Sequence, residues 1–132
     1  MLIEQALMTL LNATAALTAV TSTRIYFVKS PQDVTAPYVV VSKISSVRQH
    51  DHDGAAGLAQ ARFQFSCFAT TYTVVKTMAA AIQSALQGYS GTMGGAGGVT
   101  VNGAFYEDET DFWEEESKLY HLALDFLLWH KE

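Results

Sequence analysis

The run His50-Asp51-His52-Asp53 puts two imidazoles and two carboxylates in consecutive positions, the most metal-like set in this chain. Zinc takes such ligands in tetrahedral array. No further His or Cys lies at ligand spacing beside the run, and His121 and His130 are remote in sequence. Adjacent ligands at a loop tip also lack the outer groups that fix a metal's ligands. A solvated hairpin tip accounts for these residues better than a metal centre. No metal and no cofactor is expected, and a small metal-dependent hydrolase using His50 and His52 is the lesser reading.

Other patterns with chemical potential fall away. Gly91, Gly94, Gly95, Gly97 and Gly98 crowd one stretch, but no G-K-[ST] follows, and neither does a helix start that could face a phosphate. They read as a flexible turn. Ser, His and Asp occur without a G-x-S-x-G elbow or a nameable nucleophile and base. Cys67, the one cysteine, alternates with polar residues and reads as a small buried hydrophobe. With no nucleophile, base or metal set in view, an enzyme is not expected.

The acidic run is the least ordinary feature. Seven of the 13 acids, Glu107, Asp108, Glu109, Asp111, Glu114, Glu115 and Glu116, lie within ten positions, while the eight bases are scattered. Phe112 and Trp113 sit inside the run, and aromatics flanked by charge are common at protein interfaces. The run reads as a turn that either solubilises the chain or forms a charged contact or channel surface in an oligomer. Such a cluster could also hold a hard divalent cation between subunits.

These stretches need a scaffold. A chain of 132 residues is expected to form one domain, 1–132, and can bury roughly two-thirds of its unfolded surface without disulfides. The net charge of −5 argues against a broad nucleic-acid-binding face. Apolar residues make up 49 %, which hints that another subunit covers part of the surface. No apolar run reaches the ~18 residues of a membrane span. The apolar N-terminus carries Glu4 and no base before Arg24, unlike a secretory signal, so the cytoplasm is the default location.

Periodicity places the elements. Leu2, Ile3, Ala6, Leu7, Leu10 and Leu11 form one face of a helix, with Thr14 placed to cap a further turn. Arg24–Val28 is a short strand, and both prolines punctuate the loop that follows. Tyr38–Val47 is a strand, Arg48–Leu58 a polar hairpin tip, and Ala61–Ala69 the returning strand. In that strand Ala61, Phe63, Phe65 and Cys67 point to the core, and Arg62, Gln64 and Ser66 point away. Tyr72, Val75, Ala79, Ile82 and Leu86 stripe a second helix, capped by Thr70 or Thr71 and closed by Gly88. Val99–Tyr106 and Leu119–Trp129 complete the set, the acidic turn lying between them. In the last strand Tyr120, Leu122, Leu124, Phe126 and Leu128 make an unbroken apolar face; the other face, with Leu127 and Trp129, is mixed. The expected class is α+β: an antiparallel sheet of about four to five strands with two helices packed on one face.

The ordered set of motifs resembles the tail-completion, or tail-terminator, proteins of long-tailed phages and prophages over nearly the whole chain. The pieces are the leucine-rich first helix, R-I-Y at Arg24–Tyr26, P-Q at Pro31-Gln32, P-Y-V-V at Pro37–Val40 and D-G at Asp53-Gly54. L-A-Q-A-R-F-Q-F-S-C-F-A spans Leu58–Ala69, and L-Y-H-L-A-L-D-F-L-L-W-H spans Leu119–His130 after the acidic run. Two departures are a longer glycine loop and Ser66 where an acid is frequent.

The resemblance implies a structural subunit that assembles into a ring, of six copies, at the head-proximal end of the tail tube. The ring ends tube polymerisation and offers a docking face to the head connector, while DNA passes through without specific binding. Its partners would be other copies, the tail tube protein and the connector or stopper protein, with no membrane. Its location would be the virion tail, reached from the host cytoplasm during assembly. Another neck protein, such as a head-closure stopper, is the alternative. For subunit-interface or lumen contacts the candidates are Glu107, Asp108, Glu109, Asp111, Phe112, Trp113, Glu114, Glu115, Glu116, Arg62, Gln64, Leu127 and Trp129. For a contact loop toward tube or connector they are Arg48, Gln49, His50, Asp51, His52, Asp53 and Gly54.

Overall fold

A computed structural model describes the backbone of residues 2–51 and 54–131 and the side chains of 2–48 and 57–131. Nine elements follow in order: α1 (Ile3–Asn12), α2 (Ala15–Thr21), β1 (Ile25–Phe27), β2 (Tyr38–Asp51), β3 (Gly54–Ala69), α3 (Tyr72–Leu86), β4 (Gly91–Met93), β5 (Val99–Glu114) and β6 (Leu119–Lys131). They build a six-stranded sheet in the order β1-β2-β3-β6-β5-β4. The α+β class holds. The expected count of four to five strands and two helices does not: the described residues form six strands and three helices, and β1 pairs parallel with β2.

The helix at the N-terminus is divided. The second part begins after Thr14, but the Thr14 hydroxyl donates back to the Leu10 carbonyl at 2.8 Å instead of capping forward. The two halves meet at 80°, so α1 and α2 follow different parts of the core. Ile3, Ala6, Leu7, Leu11 and Leu17 are buried, while Leu2 stays exposed. The third helix matches its stripe more closely. Thr71 Oγ1 accepts from Val74 N at 3.4 Å, and Val75, Ala79, Ile82 and Leu86 are buried. Met78 joins them on the buried side. Gly88, at φ +73°, turns the chain so that its N–H donates to Ala104 of β5 at 3.0 Å.

The helices cover the face of the sheet that the alternation marks as apolar. Phe63, Phe65, Cys67, Leu122, Leu124, Phe126 and Leu128 are fully buried in one cluster with the helix residues. Phe126 receives both Phe65 and Tyr106 edge-on, with centroids 5.8 and 5.5 Å away. Each buried phenylalanine contributes about 1.5–3 kcal/mol. Burial pushes the Cys67 thiol up to about 12, as an unreactive core cysteine requires.

Both supposed turns are strands. The polar segment from Arg48 continues β2 and β3, with Arg48 opposite Ala59 and Asp51 opposite Gly54; His52 and Asp53 lie outside the described residues. The acidic run likewise continues β5, paired with β6 from Asp108↔Asp125 to Glu114↔Leu119, and the turn is only 115–118. Charged residues lower strand propensity, but β6 supplies a full ladder of partners, and tertiary pairing overrides the local preference. The glycine stretch is a compact β4–β5 turn rather than a slack loop. Gly98 N donates to Gly95 O at 3.0 Å, and a Cβ on Gly98 would stand 2.1 Å from the Met93 carbonyl oxygen.

Candidate functional site on the open sheet face

Among the described residues no helix or strand layer covers the face opposite the helices, although Val28, Lys29 and Ser30 border it beside Tyr38, Val40, Ser66 and Phe68. Cross-strand partners share a face, so the register reads it out row by row. The first row is aromatic. Tyr38 on β2 stacks on Phe68 of β3 at 4.7 Å, Phe68 stacks on His121 of β6 at 4.3 Å, and Phe112 of β5 lies 5.1 Å from His121. These rings form a ladder across four strands. The His121 Nδ1 lies 3.0 Å from Glu114 Oε1, while its Nε2 is buried without a partner among the described residues.

Of the two middle rows, the first mixes Val40 and Ala123 with Ser66 and Thr110, and the second is polar. Ser42, Gln64, Asp125 and Asp108 lie side by side. Arg62 reaches diagonally to Asp125 at 3.4 Å, and Gln64 donates to Ser66 Oγ at 3.2 Å. The Arg62–Asp125 pair is partly solvated, so it contributes about 0–1 kcal/mol. The last rows turn apolar again. Arg62, Leu127 and Phe105 share one row, then Trp129 stands beside Gly103. The Phe105 ring lies over Gly103, where a Cβ would meet it at 3.0 Å, and Phe105, Gly103, Asn102 and Trp129 line a shallow recess. Arg62, Gln64, Leu127 and Trp129 thus lie together on one face, as the alternation predicts.

The acidic residues do not act as one patch. Strand alternation splits them between the two faces. Glu109 and Asp111 turn to the helix side, where Lys76 Nζ of α3 lies 3.6 Å from each. Tyr72 of α3 donates its hydroxyl to Asp111 at 2.8 Å. The hydrogen bond with Tyr72, followed by the charges of Glu109 and Asp111, raises the Lys76 ammonium above its ordinary value despite some desolvation. Trp113 follows on the same side, edge-on to Tyr120 at 4.9 Å. Asp108, Phe112 and Glu114 are on the open side. In the turn, Glu115 accepts from Lys118 at 2.8 Å and from the Trp113 indole at 2.7 Å; these two bonds, in that order, hold its carboxyl below the ordinary range. Glu107 occupies the bulge between Tyr106 and Asp108, and Glu116 lies in the turn.

Of the contact-loop candidates, Arg48 is exposed on β2, Gln49, His50 and Asp51 follow it on the same strand, and Gly54 begins β3. Among the described residues no three His, Cys, Asp or Glu side chains gather in a metal-binding group. Sequence reasoning placed His121 on this face of the last strand but missed Tyr38, Phe68 and Phe105 as members of the surface. The signal was present: the alternation that turns Arg62 outward also turns Phe68 outward.

Comparison with known proteins agrees with this architecture. The family model described as "Tail completion protein gp17" matches residues 5–131, and the chain belongs to that family. A solved chain from the "Virion of native gene transfer agent (GTA) particle" superposes with a TM-score of 0.79 at 22% identity, covering 97% of this chain and 94% of that one. At that identity the likeness is one of fold. No curated protein matches the chain.

Proposed function

We propose that this protein is a structural subunit of a phage-like virion, and that copies of it form a six-membered ring at the head-proximal end of the tail tube. The ring ends tube polymerisation and presents the docking face for the head connector. Membership of the tail completion family, matched over residues 5–131, is the observation that carries this reading. The open face adds to it, because a sheet with a helix layer on one side and aromatic rows on the other suits coverage by a neighbour. The whole chain, 1–132, serves as one domain in this role.

The candidate residues divide accordingly. Phe112, Glu114, Arg62, Gln64, Leu127 and Trp129, all on the open face, serve the contact between subunits or face the lumen. The turn with Glu115 and Glu116 faces a neighbour or the lumen, and the end of the β2–β3 hairpin, Arg48–Gly54, reaches toward tube or connector. A chain of net charge −5 lets DNA pass without gripping its phosphates.

The test is genetic. Particles made without this chain should accumulate heads and tails that fail to join, with tubes of uncontrolled length. The intact chain supplied separately should restore joined particles. Normal joined particles in its absence would overturn the proposal.

A further inference from the structure

Each edge of the sheet is covered over part of its length, and the uncovered parts lie at opposite ends. β1 covers Val39–Val41 of β2, and nothing among the described residues pairs with that side of β2 from Ser42 to Asp51. β4 covers Val99–Val101 of β5. The end of α3 occupies the next positions, through Gly88 N to Ala104 O and Tyr106 N to Gln87 Oε1, each 3.0 Å. From Glu107 to Glu114 no strand among the described residues pairs with the outer side of β5. A long unpaired edge presents rows of N–H and C=O groups to another strand, so sheet edges are ordinarily short, covered or blocked.

Apolar exposure gathers on these same strands. Ile44 and Val47 on β2, and Phe105, Phe112 and Trp113 on β5, are 48–53 % exposed. The two open edges differ in charge: that of β5 carries Glu107, Asp108, Glu109, Asp111 and Glu114, whereas that of β2 carries Lys43 and Arg48 ahead of Asp51, with Lys43 paired to Glu4 and both Glu109 and Asp111 paired to Lys76 inside the copy.

We propose that neighbouring copies join by pairing the open β5 edge of one copy with the open β2 edge of the next, so that the sheet continues from subunit to subunit. This deepens the ring reading and rests on it. β2 and β5 run in opposite directions, because the steps β2–β3, β3–β6 and β6–β5 are all antiparallel. Rotation about a ring axis preserves the sense of every strand along that axis, so the new pair is also antiparallel. The open faces must stay aligned across the junction, because a slip of one residue turns every side chain over. Thr110 and Val47 are both open-face positions, and pairing them sets Glu109 opposite Arg48 of the next copy.

The offset between the two edges gives a geometric check. Within one copy Val47 is level with Gln60, Trp129 and Gly103. Thr110 is level with Ala123, six β6 positions from Trp129. Each step to the next copy therefore shifts about 20 Å along the strands and crosses four strand spacings, about 19 Å. These displacements bring the copies to one level when the strands lean about 45° from the ring axis, at the top of the 35–45° range of closed β-barrels. Upright strands with the same edges would climb into an open helical filament instead. The diagonal placement of the open edges thus fits a closed ring of inclined sheets.

Single cysteines test the junction, since the native Cys67 is fully buried. Val47→Cys and Thr110→Cys are purified separately, checked for native circular dichroism, assembled at ring-forming concentration and oxidised. Within one copy these positions are three strand spacings and six residues apart, roughly 14 and 20 Å in perpendicular directions. That separation is far beyond disulfide reach. The contact is head to tail, so neither variant alone should cross-link, an equal mixture should give dimers, and the double variant should give a ladder up to the ring. Asp108→Cys and Phe112→Cys, each mixed with Val47→Cys, should cross-link more weakly. A ring by light scattering with no cross-links in any mixture would overturn the edge pairing and leave the ring reading standing. Cross-linking by a single variant alone would overturn it in favour of a two-fold contact. A monomeric mass at every concentration, with no cross-links, would remove the pairing and the ring together.

Discussion

The Tyr72 hydroxyl donates to the Asp111 carboxylate at 2.8 Å, joining the first residue of α3 to the acidic half of β5. Lys76, one turn further along α3, reaches Glu109 and Asp111 from the same side. The acidic half of the strand is therefore braced by the helix on one face while its other face and its edge remain open. This bond sets how rigidly the β5–β6 hairpin is presented.

Removing the brace should loosen that hairpin without unfolding the protein. Tyr72→Phe is expected to cost about 1 kcal/mol or less, since the bond is exposed and solvent screens it. The measurement is the thermal midpoint, together with amide exchange along residues 108–114. Faster exchange there with a small midpoint change is the expected outcome.

Acid should act through Glu4 as well. Burial works to raise its carboxyl, but the hydrogen bond to Lys43, with lesser help from its backbone and nearby charges, brings it below the ordinary value. A lowered folded value gives stability that is present above the unfolded value and lost as pH falls through the folded one. The contribution, about 0–1 kcal/mol for so exposed a pair, should thus disappear below about pH 4.5. Glu4→Gln should be less stable than the parent at pH 7 and equal to it near pH 3, as read by thermal melts.

Core and open face should separate cleanly in mutants. Phe63 is fully buried, so Phe63→Ala should cost about 3–5 kcal/mol and abolish folding or nearly so. Phe112 is 48 % exposed, so Phe112→Ser should cost about 1 kcal/mol or less while weakening association between copies. Chemical denaturation and light scattering read the two effects independently.

Gly98 gives a backbone test. A methyl group there meets the Met93 carbonyl oxygen, so the β4–β5 turn must open to admit it. Gly98→Ala should lose about 1–3 kcal/mol. Gly95→Ala meets no neighbour but holds φ at +81°, and should lose less, about 1 kcal/mol.

How much of this was legible beforehand depended on the kind of signal. Phe63, Phe65 and Leu124 announced their face because alternation over a long strand is nearly free of ambiguity. The Thr71 cap and the Gly88 turn were readable because each satisfies a local backbone need. The fate of Glu107–Glu114 was not readable, since nothing local makes an acid-rich segment a strand; the ladder offered by β6 decides it. The parallel pairing of β1 was hidden for the same reason. The open face was half legible: Arg62, Gln64, Leu127 and Trp129 followed from alternation, whereas the Tyr38–Phe68–His121–Phe112 ladder needed the register of four strands.

Electron microscopy of tail tubes incubated with the purified protein tests the central claim most directly. The account predicts a closed, rotationally symmetric ring of copies at one end of each tube, with tube growth arrested at that end. Bare ends that go on growing, or copies spread along the tube wall with no ring, would contradict it.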